Sequence, residues 1–155
     1  MYKALSWLVA GGLMAYPIEG LWRIPSNGGW VSIFMFPIYG LALFAVGGLN
    51  QLKWFYERHM RVQAFIGAVV MLAIEYIGGM IVNVWGGLAV WDYSSLPITD
   101  PRGQISLLFA VFWFLLMPFA IWLEDKVTWI YYKAAGLETK WNYTLLQAYK
   151  ELLFY

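Results

Sequence analysis

Four runs, each close to the ~20 mostly apolar residues that a helix needs to cross a bilayer, dominate this chain: residues 4–22, 31–49, 64–85 and 105–123. Three polar linkers separate them. Residues 24–30 are rich in Pro, Ser, Asn and Gly, residues 50–63 carry the densest charge, and residues 86–104 hold the turn signals Ser94-Ser95, Pro97, Asp100-Pro101 and Gly103. The expected fold is an all-α integral membrane protein with four transmembrane helices. The first run follows Lys3 and has the pattern of a cleavable leader over residues 5–15; it is read here as a true span.

Composition points the same way. The chain is 62% hydrophobic, 20% aromatic and 12% charged, whereas a soluble domain carries roughly 25% charged residues. A chain of 155 residues has too much surface to keep such a composition in water, and lipid is the natural solvent for the excess. The net charge of +1 gives no field that would recruit nucleic acid. Without cysteine, disulfides, thiol nucleophiles and cysteine metal sites are excluded, and the single histidine, His59, cannot form a histidine cluster.

Lys and Arg set the expected orientation. With four spans, the N-terminus, the second linker and the C-terminal segment share one side and hold Lys3, Lys53, Arg58, Arg61, Lys126, Lys133, Lys140 and Lys150, against Arg23 and Arg102 on the other. The positive-inside rule places the rich side, with both termini, in the cytoplasm of a multi-pass protein of the inner membrane. The basic stretch from Lys53 to Arg61 is then a positive-inside anchor, not a nucleic-acid site. Tyr and Trp crowd the span ends, among them Trp22, Trp30, Trp54, Trp85, Trp91, Trp122 and Trp129, and are expected at the headgroups. Gly136 is a helix stop. Beyond it Trp141, Leu145, Tyr149 and Leu152 recur at helical spacing, so residues 139–154 are expected to form an amphipathic helix at the interface; docking to a partner is the rival reading. The organisation is a four-span domain, 1–136, and a C-terminal segment, 137–155. A shift of 56 positions pairs Gly11 with Gly67, Ile18 with Ile74 and Glu19 with Glu75, a faint internal repeat of two parallel halves.

An ionisable residue within a span needs a partner, water or a proton. Glu75 lies well inside the third span, and Gly79 and Asn83 follow at i+4 and i+8. That small, polar face should point into the bundle. Glu19 lies near the end of the first span with Arg23 four residues on, either a local ion pair or part of an outward-facing pocket. Trp91-Asp92-Tyr93-Ser94 reads either as a capped interfacial turn or as a lid folded over the outer mouth. Its aromatic walls and carboxylate would suit a cation or a polar headgroup, with Arg102 as a charge partner. Pro17, Pro37 and Pro118 fall inside spans and permit kinks. No phosphate-cradling loop, His-Glu-x-x-His or nucleophile elbow is present.

These motifs, taken together, resemble a known bacterial family, the ABC-transporter type IV or CmpB-like permeases, and a group of vertebrate four-span proteins with the same loop. The resemblance rests on Glu19, Pro37-Ile38-Tyr39-Gly40, Glu75-Tyr76-Ile77-Gly78, Trp91-Asp92-Tyr93-Ser94, Pro97 and Gly103-Gln104-Ile105. It covers about residues 12–123 and leaves the C-terminal segment outside. The chain departs from the pattern at Phe36, where the family has cysteine, and at Ser26-Asn27-Gly28-Gly29, where it has Asn-Arg-Gly. The resemblance implies transport, and four spans without a nucleotide-binding domain imply a homo-oligomer or partner membrane subunits.

The leading expectation is a binding or transport-associated membrane component, not an enzyme, with a polar ligand site between the spans opening outward. Its candidate residues are Glu19, Arg23, Tyr39, Glu75, Asn83, Trp91, Asp92, Tyr93 and Arg102. A structural or accessory subunit of a larger membrane complex is the alternative. A lipid-headgroup enzyme using Glu75 and Asp92 as acid and base ranks third. No cofactor or metal is indicated.

Overall fold

The computed structural model describes residues 12–13, 20, 32–134 and 143–155. Apart from residues 12–13 and 20, the first expected span lies outside these residues, as do the first linker and Gly11, Ile18 and Glu19 of the internal repeat. The described chain is helical: α1 (Met35–Asn50), α2 (Lys53–Tyr56), α3 (Met60–Gly79), a π-helical segment (Met80–Trp85), α4 (Leu107–Ala134) and α5 (Leu145–Phe154). One isolated antiparallel bridge joins Thr99 to Ser106.

α3 and the π-helical segment form one apolar rod, Met60–Trp85, of 26 residues, and the apolar part of α4, Leu107–Ile130, has 24. At 1.5 Å per residue these measure ~39 and ~36 Å, more than the ~30 Å hydrocarbon core. Both are long and apolar enough to cross a membrane. α1 is apolar but has only 16 residues, ~24 Å. It starts at Met35, later than expected, because residues 32–34 form a turn closed by Met35 N–H to Ser32 O at 3.0 Å.

α3 and α4 make the main helix contact, with α1 packed against both. The seam is built from Ala64, Ala68 and Met71 of α3 with Met117 and Ile121 of α4, all at most 5% exposed. Small residues let the backbones approach, which is how helices associate in lipid. α1 contributes Met35, Ile38, Ala42 and Val46. The opposite faces expose Phe65, Val69 and Ile77 on α3, Ile81 on the π-helical segment, and Leu108, Val111 and Leu115 on α4. So broad an apolar surface would be a liability in water and fits lipid.

α4 continues past the expected end at Leu123 to Ala134. Glu124 and Asp125 do not end it, because side-chain donors from α1 and from Tyr143 receive both carboxylates. α5 is shorter than expected. Tyr143 and Thr144 are not helical, and Thr144 starts the helix with a capping box: Gln147 N–H donates to its hydroxyl at 3.2 Å and Thr144 N–H donates to Gln147 Oε1 at 2.7 Å. Trp141 lies outside the described residues. α5 buries Ala148 and Leu152 against α3 and α4 and is tied there by Met60 N–H to Glu151 Oε1 at 2.9 Å and Arg61 Nε to Leu152 O at 2.6 Å. Leu146, Leu153 and Phe154 remain exposed on it.

Candidate functional site

At the far end from α5, the loop of residues 86–106 folds back over α3 and α4. Beneath it lies Glu75, with 1% of its surface exposed. The Tyr93 hydroxyl donates to its Oε1 at 2.9 Å and Trp113 Nε1–H donates to its Oε2 at 2.9 Å. One donor comes from the loop and one from α4, so the carboxyl joins three elements. Tyr93 is held in turn by stacking on Phe109, with centroids 4.4 Å apart and planes at 18°. Tyr39 of α1 is buried against Trp113, with ring centroids 5.6 Å apart.

A second set of bonds seats the loop. Asn83, in the π-helical segment, donates to Gln104 Oε1 at 2.8 Å and to Trp91 O at 3.0 Å, while its Oδ1 accepts from Val90 N–H at 2.7 Å. Trp91 Nε1–H donates to Gln104 O at 3.1 Å. Gly79 makes this docking possible: a Cβ there would collide with Gln104 Oε1 and sit 3.0 Å from the Trp91 ring. Glu75, Gly79 and Asn83 thus share one side of the rod, as their spacing suggests. The π-helical widening after Gly79 is a feature that often accompanies functional sites.

Within the loop Asp100 is the hub. Its Oδ1 accepts from Gln104 N–H and Ile105 N–H at 2.6 and 2.8 Å, and its Oδ2 from Arg102 N–H at 2.9 Å. Gly103 adopts φ +67°, and a Cβ there would meet Asp92 Oδ1; its carbonyl accepts from Tyr93 N–H at 2.8 Å. This crossing turns Tyr93 and Trp91 inward and leaves Asp92 outside.

The structure therefore brings Tyr39, Glu75, Asn83, Trp91 and Tyr93 into one region. Trp91, read either as an interfacial anchor or as part of a lid, is 7% exposed and lies against Gly79. Asp92 is exposed and caps its own turn, accepting from Ser94 N–H at 2.8 Å, which holds its carboxyl below the usual carboxylate range. Arg102 is exposed, with a guanidinium N–H 3.5 Å from Met80 Sδ. Glu19 and Arg23 lie outside the described residues. Sequence reasoning missed Trp113, Phe109, Gln104 and Asp100. Trp113 and Phe109 are hidden in an unbroken apolar run, whereas an Asp-Pro turn three residues before a Gly-Gln pair was a readable signal for the other two.

A buried carboxyl with two neutral donors aimed at it can hold a proton or face a cation admitted when Tyr93 moves away. Among the described residues no three His, Cys, Asp or Glu side chains are grouped to bind a metal. No curated protein and no solved structure matches the chain. A family model does, and it reaches into the C-terminal segment that the sequence resemblance left out: over residues 8–149 the chain matches, and belongs to, the family described as "Putative ABC-transporter type IV".

Proposed function

We propose that the chain is a transport-associated membrane component whose polar site, centred on Glu75, opens to the outside beneath the loop of residues 86–106. The observation that carries this reading is the bonding of Glu75: a carboxyl 1% exposed that accepts from Trp113 and from Tyr93, the latter mounted on the covering loop. Intramembrane carboxyls are costly and mark ion or substrate pathways. Lifting the loop would take away the Tyr93 hydroxyl and present Oε1 to the outer side, with Trp91, Tyr39 and Phe109 as aromatic walls. Such a site suits a cation or the cationic group of a headgroup. Asn83 seats the loop, Asp92 and Arg102 sit at its outer surface, and Glu19 with Arg23 complete the set from the first span.

Four spans with both termini in the cytoplasm of the inner membrane complete the proposal, together with a second copy or partner membrane subunits. α5 then lies on the cytoplasmic side with its Leu146, Leu153 and Phe154 face free for lipid or a neighbouring subunit. The test is labelling of Glu75 by a water-soluble carbodiimide added from outside to oriented vesicles, quantified by mass spectrometry. Labelling should be slow in the native chain and rise severalfold in Tyr93→Phe. If Glu75 stays unlabelled in both while the protein remains folded, the carboxyl is a closed structural group and the accessory-subunit reading replaces this one.

A further inference from the structure

The loop of residues 86–106 carries an unexpected residue at Ile98. Its backbone adopts φ +52°, a left-handed conformation that favours Gly or Asn and is an outlier for a β-branched side chain. The side chain is also 74% exposed. In water both features are unfavourable, and an ordinary polar or glycine turn residue would remove both. The surrounding backbone is held in place. Ile98 O accepts from Leu107 N–H at 2.9 Å beside the Thr99–Ser106 bridge, and the Thr99 hydroxyl lies 2.8 Å from Leu96 O and 3.0 Å from Tyr93 O.

The neighbours of Ile98 supply a reason for it. Leu107, opposite Ile98 in this short pairing, begins α4, and Leu107, Leu108, Val111 and Leu115 are all exposed along that helix. Ile98 therefore extends the apolar band of α4 past the start of the helix. The other root of the loop is built the same way. Ile77, Ile81 and Trp85 are exposed four residues apart along the first rod, with Val84 beside them, and Leu88 continues the band beyond its end. That rod, at ~39 Å, is longer than the ~30 Å hydrocarbon core, so its end at Trp85 reaches the headgroup level where tryptophan is favoured. Both roots thus carry an apolar band out of the hydrocarbon and into the interface. The band covers both helices away from their seam, a surface that lipid can cover as a whole.

We infer that the loop of residues 86–106 is seated in the acyl–headgroup boundary of the bilayer, with Ile98 inserted into lipid on the α4 side and Trp85 and Leu88 on the α3 side. The apolar surroundings that Ile98 lacks within the chain are then those of the bilayer. The inference concerns where the loop rests and stands whatever Glu75 binds.

The test uses the full chain in phosphatidylcholine nanodiscs, in which both membrane faces are open to solvent. The chain has no cysteine, so Ile98→Cys, Ser95→Cys and Leu115→Cys each give one site for a bimane label, and an unchanged unfolding midpoint shows that each variant folds. At position 98 a nitroxide lipid labelled near the headgroup should quench severalfold more than aqueous iodide. At position 95 iodide should dominate, and at position 115 a nitroxide deep in the acyl chain. In the native chain, a phospholipid bearing a carbene precursor high in its acyl chain should leave adducts on the peptide that contains Ile98. Quenching at position 98 by iodide as strong as at position 95 overturns the inference. So does shielding of position 98 from both quenchers, which would mean that a second copy of the chain covers it, and so does an absence of adducts at Ile98 when Val111 and Leu115 acquire them.

Discussion

Replacing Tyr93 by Phe removes one oxygen atom and almost nothing else. The ring keeps its stacking on Phe109 at 4.4 Å, so apolar burial is unchanged while the hydroxyl bond to Glu75 Oε1 at 2.9 Å is lost. Hydrogen bonds to charged groups contribute about 1.5–3 kcal/mol and neutral ones about 0.5–1.5. Double-mutant cycles inside membranes average only about 0.6 kcal/mol and reach about 1.7, because the unfolded chain in lipid also finds partners. Glu75 is 1% exposed and cannot recruit water in place of the hydroxyl without the loop moving, which puts this pair in the upper part of that range. The expected coupling between Tyr93→Phe and Glu75→Gln is therefore about 1–1.7 kcal/mol. It is measured as a full cycle by reversible unfolding in mixed micelles. A coupling within about 0.3 kcal/mol of zero, the ordinary additivity error, would show that the hydroxyl does not hold the carboxyl, and the lid reading would fail with it.

Three further outcomes check the loop and the helix ends. Gly103→Ala places a side chain at φ +67° against Asp92 and should cost about 1–2 kcal/mol, read as a lower unfolding midpoint; an unchanged midpoint would mean the turn is not formed as described. Gly79→Val inserts carbons where Gln104 and the Trp91 ring pack, so limited proteolysis should cut within residues 86–106 at least several times faster than in the native chain, and equal rates would refute the docking. Asp92 is held in its ionised form by the Ser94 N–H: a depressed folded pKa gives order that is present above the ordinary value near ~3.9 and lost as pH falls through the lower folded one. NMR titration of the Ser94 amide should accordingly show a midpoint below that of a free aspartate, and a midpoint at or above it refutes the cap.

How much of this was legible depends on the distance over which each signal acts. Glu75, Gly79 and Asn83 announce a polar face because helical spacing is local, and the Trp91-Asp92-Tyr93-Ser94 motif marks its loop by composition alone. Which of those four residues turns inward is not local. It depends on the positive φ of Gly103 and on Asp100 gathering the amides of residues 102, 104 and 105, so the carboxylate of Asp92 could be given to the lid although it faces outward. Trp113 carries no mark that separates it from the other aromatics of its span. The end of α4 is obscured for the opposite reason. Adjacent Glu124 and Asp125 look like a water boundary, and the donors that let them stay buried include Asn50 and Gln51, more than seventy positions earlier, and Tyr143, well beyond them.

The two carboxyl centres stand on the same helix pair, which restricts how they could work together. Trp113 meets Glu75 and Glu124 meets Asn50, eleven positions apart along α4, or ~16 Å of helix. Between them the seam of Ala64, Ala68 and Met71 against Met117 and Ile121 is apolar and at most 5% exposed. A charge on either side has no polar group in that seam to step onto, and an ion in bare hydrocarbon pays a large desolvation cost. Among the described residues, passage between α3 and α4 requires the two helices to part, and Met117, against Gly67, is a side chain whose volume bears on how easily they do. Met117→Ala should open a cavity and cost about 2–5 kcal/mol of stability. If the seam is the barrier, it should also raise leakage of small cations through proteoliposomes while leaving the Tyr93–Glu75 coupling intact. Loss of that stability with no rise in leakage would mean that the seam is packing only, and that the two centres act separately.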